Sequence, residues 1–158
     1  MIDGKKPITN LGLKNLKKQH THLQEIVRPK IIEEISRARA LGDLSENAEY
    51  QAAKSDQARN EKEIRSLEEK ISKCYVPDLK SLNQQKVNFS SYVTLWSDEK
   101  EVTYQIVGEY ESDVEKKKIA VNSPLARSLL GKKENDEVTV RTPKGTCIYE
   151  ITNIEYDE

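Results

Sequence analysis

Leu41-Gly42-Asp43-Leu44-Ser45-Glu46-Asn47-Ala48-Glu49-Tyr50 holds three carboxylates and no lysine or arginine. On each side lies a long stretch in which apolar residues recur at helical spacing. Upstream, Leu13, Leu16, His20, Leu23 and Val27 follow steps of three and four, the pattern of a coiled-coil seam. Downstream, Ile64, Leu67, Ile71 and Cys74 follow the same steps. Running that second seam back toward the turn gives Asn60, Gln57, Ala53 and Tyr50, so it is apolar at its base and polar or small near the turn. Two helices joined by a short turn form an antiparallel hairpin. The ten residues are its tip.

The first helix has Thr9 or Asn10 as its expected N-cap. Pro29 interrupts it, yet Ile31, Ile32, Ile35 and Ala38 resume the apolar pattern. Proline removes one helical hydrogen bond and bends the chain, so one kinked helix is predicted. Gly42 is the expected stop. The second helix is predicted from about Ser45 to Cys74, a rod of roughly 45 Å at 1.5 Å per residue. Pro77 closes this region, and the polar residues 78–91 read as a linker.

From Tyr92 the period changes to two. Candidate strands are 92–96, 102–107, 119–122, 138–142 and 147–154. Pro143-Lys144-Gly145 reads as the turn of a terminal hairpin. Ser123-Pro124 followed by Gly131 frames one short helix, with serine as N-cap and proline in the first turn. The expected architecture is α+β. Residues 1–77 form an antiparallel coiled-coil hairpin, 78–91 a linker, and 92–158 a small antiparallel-sheet domain with one helix.

Composition bounds the function. Of 158 residues, 34 % are charged and 35 % hydrophobic, which suits a solvent-flanked helix pair. The formal net charge is −1, so the chain is no polycation. Residues 1–77 sum to +3 and 78–158 to −4, a bias that permits nucleic-acid contact by the N-terminal half without demanding it. Cys74 and Cys147 form no CxxC motif and read as small core residues in a reducing compartment. No run of 18 apolar residues occurs, and a soluble, cytoplasmic protein with no membrane partner is expected.

Asp43 and Glu46 admit several readings. As N-cap and third helical residue they would mimic a capping box. A calcium loop fits poorly, because Ala48 replaces its glycine and Lys54 its bidentate glutamate. Magnesium fits better, since it is commonly held by one or two carboxylates together with a substrate's phosphate oxygens. Two carboxylates on an exposed tip make no private cage, but they could complete one that a partner holds. Arg39 and Lys54 bracket the turn and could steer phosphates. His20 falls on the seam, where packing is the simpler role than metal binding. Gly-rich phosphate loops, nucleophile elbows and zinc spacings are absent from the sequence.

The stretch Gly42 to Tyr50, set between two long helices, resembles the tip of the bacterial Gre transcript-cleavage elongation factors, GreA type. Pro29-Lys30-Ile31-Ile32 resembles that family's proline-bearing first helix. Val121-Asn122-Ser123-Pro124-Leu125-Ala126-Arg127 with Leu130-Gly131-Lys132 resembles the helix motif of its C-terminal domain. Asn135-Asp136-Glu137-Val138 and Thr142-Pro143-Lys144-Gly145 follow in the family's order. The resemblance implies an FKBP-like C-terminal domain, although a chain with one Phe and one Trp offers little for an aromatic proline pocket.

It further implies a monomer that binds bacterial RNA polymerase at the secondary channel and acts on the nascent RNA 3′ end. Asp43 and Glu46 would be the catalytic carboxylates, sharing the polymerase's Mg²⁺ transiently and orienting the attacking water. The chain would have no cofactor of its own and would be no self-contained enzyme. Arg39 and Lys54 would contact RNA. Gly42, Ser45, Asn47 and Tyr50 would position the tip, and Ser123, Pro124 and Arg127 would dock on the polymerase. Leu44, where a basic residue would suit a larger basic patch, points away from the GreB type. A Gre-like channel plug without cleavage stimulation is the alternative.

Overall fold

The computed structural model describes residues 4–44 and 46–157. The chain divides into two compact units. One is the helical hairpin, Leu13–Lys73; the other joins the residues up to Gly12 with the chain from Cys74 onward.

The first arm of the hairpin is helical without interruption, but it is not one α-helix. Helix α1 (Asn10–His22) runs into a π-helical turn (Leu23–Val27), which leads into α2 (Arg28–Arg39). Thr9 caps α1: its Oγ1 accepts from Gly12 N at 3.0 Å. Pro29 stands in the first turn of α2, directly after the π turn. The wider turn is marked by Arg28 N donating to Leu23 O, five residues back.

The seam spacing explains it. Leu23, Val27, Ile31 and Ile35 are three consecutive steps of four. Three α-helical turns span about eleven residues, so the pattern contains roughly one residue too many. The π turn absorbs that residue, and Ile31, Ile35 and Ala38 return to the buried face. The irregularity expected at Pro29 thus takes the form of a local widening just before it, within a first arm that stays one continuous helical stretch.

The second arm is a single helix, α3 (Ala48–Ser72), about 37 Å long. It begins three residues after the predicted start and ends two before the predicted end. Its seam has no skip, and Ala53, Asn60, Ile64 and Leu67 are all buried. Near the tip the second arm's small residues are met by bulk from the first. Ile31, Ile35 and Ala53 form one cluster, with Val27 and Tyr50 packed against it. Asn60, polar and buried, donates to Leu23 O of the π turn at 3.3 Å. Arg28 grips Glu61 with two bonds of 2.7 and 2.9 Å, and His20 Nε2 lies 3.0 Å from Glu68 Oε1. His20 thus serves packing and pairing between the arms.

In the other unit, β1 (Lys6–Pro7) pairs in parallel with β2 (Cys74–Tyr75). The start of α1 is clamped there by Glu111, which accepts from Thr9 N at 2.9 Å, from Gly108 N at 2.8 Å and from the Thr9 hydroxyl. Gly108 is obligatory at this crossing: a Cβ would lie 2.4 Å from Pro7 O. Cys74 and Cys147 are free thiols, buried and half-buried. Burial, and then the Glu111 carboxylate, push the Cys74 thiol above its ordinary value.

The main sheet contains β3 (Tyr92–Ser97), β4 (Lys100–Val107), β5 (Lys118–Ala120), β6 (Glu137–Thr142) and β7 (Gly145–Glu155), in the order β5-β4-β3-β7-β6. All five predicted strands are present. The sheet is mixed rather than wholly antiparallel, because β5 pairs in parallel with β4. Helix α4 (Pro124–Leu129) covers one face, capped by Ser123 Oγ, which accepts from Ala126 N at 3.3 Å.

The predicted linker is a correction. Val87 and Phe89 are buried in the sheet's core with Val93, Leu95, Ile106, Ala126, Leu129, Val138 and Ile151. Val87 N also donates to Lys132 O at 2.8 Å. The polar run of 78–85 hides a short alternating apolar segment that follows it. Likewise the N-terminal residues expected in the hairpin pair instead with β2, which moves the boundary at 77 to the junction of Lys73 and Cys74. Among the described residues, no helix is long and apolar enough to cross a membrane.

Candidate functional site at the hairpin tip

Helix α2 ends at Arg39 with Ala40 as its C-cap, and Leu41 N closes a last turn onto Ala38 O at 3.1 Å. Gly42 follows at φ +131°, a conformation that side-chain-bearing residues rarely adopt. A Cβ there would meet nothing within 4 Å, so the need for glycine is one of backbone alone.

The cap of α3 is Asn47, not Asp43. Its Oδ1 accepts from Tyr50 N at 3.0 Å while its Nδ2 donates to Ala38 O at 2.6 Å. One amide thus caps the second arm and fastens it to the end of the first. Gln51, which the sequence reading did not single out, donates through Nε2 to Leu44 O at 3.1 Å and braces the middle of the turn. The available signal was its place one helical turn after Asn47. Ser45, expected to help position the tip, lies outside the described residues.

With Asn47 at the cap, the capping-box reading of Asp43 and Glu46 falls away. Both carboxylates precede the helix, in the turn, and both residues are exposed. From Ala40 to Ala53 the sequence holds no lysine or arginine. The first-turn glutamate, Glu49, favours the positive end of the α3 dipole.

The expected basic pair stands at different stations. The Arg39 guanidinium sits over the Tyr50 ring, 5.9 Å from its centroid. Tyr50 in turn packs on the Ile31–Ile35–Ala53 cluster, so it links the two arms beneath the turn. Lys54 is exposed and donates to Gln57 Oε1 at 3.1 Å on its own helix. Ser123, Pro124 and Arg127 belong to the sheet unit. Ser123 is engaged as a helix cap, while Pro124 and Arg127 are exposed.

The donor set suits a hard cation shared with a partner. Among the described residues, no three His, Cys, Asp or Glu converge to make a cage. Two exposed carboxylates in the turn before α3, with no lysine or arginine between them, are what a partner's Mg²⁺ could add to its own ligands.

Comparison with known proteins assigns the family. The pattern described as "Transcription elongation factor, N-terminal" matches residues 6–76, and "Transcription elongation factor, GreA/GreB, C-term" matches 82–156. The chain belongs to the GreA/GreB family of transcription elongation factors. The transcription elongation factor GreA of Rickettsia prowazekii is 46 % identical over 159 residues, covering 99 % of this chain and 98 % of that protein. GreA of Orientia tsutsugamushi is 45 % identical over 152 residues, covering 95 % and 96 %. Among solved structures, a GreA factor homologue of Thermus thermophilus aligns over 96 % of this chain and 99 % of its own, with 24 % identity and a TM-score of 0.43. Both GreA/GreB patterns fall on the two units described above, the N-terminal one spanning the whole hairpin.

Proposed function

We propose that this elongation factor binds bacterial RNA polymerase and stimulates cleavage of the 3′ end of backtracked nascent RNA, rescuing arrested complexes. The observation that carries the reading is the tip: Asn47 caps α3, and Asp43 and Glu46 stand exposed in the turn before it, where no lysine or arginine lies. In this reading the hairpin delivers the tip through the secondary channel to the polymerase active site. The polymerase's Mg²⁺ supplies Lewis acidity to phosphodiester hydrolysis. Asp43 and Glu46 offer oxygens to it and accept a hydrogen bond from the attacking water. Arg39 and Lys54 steer the extruded RNA, and Gly42, Ser45, Asn47 and Tyr50 hold the turn. Ser123, Pro124 and Arg127 dock on the polymerase. The chain acts in trans, as a cytoplasmic monomer with no cofactor of its own.

Stalled, backtracked complexes test this. Asp43→Asn and Glu46→Gln are expected to lower the rate of RNA shortening by about a hundredfold or more, the scale of losing a general catalytic group. Polymerase binding should be retained. Wild-type cleavage by both variants would refute the assignment. Slowed synthesis without shortened transcripts, given by the wild-type protein, would favour a channel plug.

A further inference from the structure

The outer face of the main sheet carries an arrangement that elongation chemistry leaves unexplained. Strand register places Glu101 of β4 opposite Trp96 of β3, Trp96 opposite Glu150 of β7, and Glu150 opposite Glu137 of β6. Directly opposed residues share a face. One row across four strands therefore reads Glu-Trp-Glu-Glu.

The row faces away from the core. Its neighbours Leu95, Val138 and Ile151 are buried against α4's side of the sheet, and successive side chains alternate faces. Trp96 is 43 % exposed, and Ile148, two residues from Glu150 on the same face, is 57 % exposed. No ion pair among the described residues involves Glu101, Glu137 or Glu150. On this face of β6 the nearest base is Arg141, four residues from Glu137 and thus about 13 Å away, beyond a physiological Debye length.

Carboxylates directly opposed across strands repel and weaken the sheet. Trp96 within the row and Ile148 beside it add exposed apolar surface. Both features are relieved by one kind of ligand: a cationic, partly apolar polypeptide segment. A guanidinium stacks on indole and pairs with carboxylates at its rim. Nucleic acid, being anionic, is repelled by the same face.

We propose that this sheet face is a docking surface for an arginine-bearing segment of a partner protein, with Trp96 as the stacking platform and Glu101, Glu137 and Glu150 as the charge partners. It is separate from Ser123, Pro124 and Arg127, which lie on or beside α4 at the opposite face. The proposal goes beyond the cleavage reading and stands or falls apart from it.

Trp96 is the chain's single tryptophan, so emission excited at the red edge of the near-UV band, where the seven tyrosines scarcely absorb, reports this face. The full-length protein is titrated with a short blocked peptide alternating Arg and Ala. Saturable change in Trp96 emission is expected, fading near 1 M salt, where the Debye length is ~3 Å. The variant Glu101→Gln/Glu137→Gln/Glu150→Gln should bind about tenfold more weakly. It should melt no lower than wild type, because it relieves repulsion. A control, Glu25→Gln/Glu33→Gln/Glu63→Gln on the hairpin, should bind as wild type. An unchanged emission, equal weakening by both triple variants, or emission that varies with protein concentration alone and so reveals a second copy on the face, would overturn the proposal.

Discussion

The two arms of the hairpin do the same job with different helices. The second arm keeps its seam in register from Tyr50 to Ile71 and is one unbroken α-helix. The first arm carries one residue too many between Leu23 and Ile35 and takes up the excess in a π turn placed just before Pro29. The difference teaches that seam spacing sets local helix type. The π turn turns a mismatch into continuity, and it seats a proline without breaking the rod, because the widened turn moves the preceding carbonyl away from the ring.

Deleting Gln24 should break this contrast most severely. The seam then has no surplus residue, the turn closes to α, and the proline ring meets the carbonyl four residues back. A loss of about 3 kcal/mol in urea unfolding is expected. Adding Pro29→Ala to the deletion should restore most of it, whereas no recovery would mean that the deletion acts elsewhere.

Asn60→Ala removes the second arm's bond to the π turn. The Leu23 carbonyl keeps its partner Arg28 N, so a loss of about 1 kcal/mol is expected by denaturant midpoint. Pro29→Ala in the full-length chain probes the origin of the turn. If spacing sets it, amide exchange and chemical shifts across 23–27 remain those of the wild type, and stability changes by less than about 1 kcal/mol. Collapse to an ordinary α-helix would make proline the cause.

The smallest effect is a pH dependence. Arg28, through its hydrogen bonds and then its charge, holds Glu61 below its ordinary 4.5. The folded hairpin thus binds fewer protons than the unfolded chain in that range. The contribution is complete above pH 4.5 and fades as pH falls through the lowered value. The melting-temperature gap between wild type and Glu61→Gln should accordingly be present at neutral pH and close in acid. A gap that widens in acid would contradict the pairing.

Much of this was legible in the sequence. Period-two alternation gave five strands, and Ser123-Pro124 gave α4 its cap and first residue. The seams ran through the buried Leu16, Ile31, Ile35, Ala38, Ala53, Asn60, Ile64 and Leu67, but Ile32, counted with the first, is exposed. The π turn was legible as well, in the steps from Leu23 to Ile35, but proline drew attention to a kink instead. The joining of the residues up to Gly12 to the sheet unit was not legible: two-residue strands carry no period, and the Glu111 clamp spans about a hundred residues of sequence. Val87 and Phe89 were hidden by the polar run before them. At the tip the residue types were plain, but the cap was not. Asp43 and Asn47 are both good caps, and only the position of the Ala38 carbonyl decides for Asn47.

The bare tip also has a practical side. Trypsin cuts after lysine and arginine, so digestion on either side of the turn releases Ala40–Lys54 as one peptide. Carboxylate-directed labelling or cross-linking at Asp43 or Glu46 would then be read from a single fragment by mass spectrometry. A protease of that specificity has no site within the turn itself: its nearest bonds follow Arg39, at the end of α2, and Lys54, inside α3.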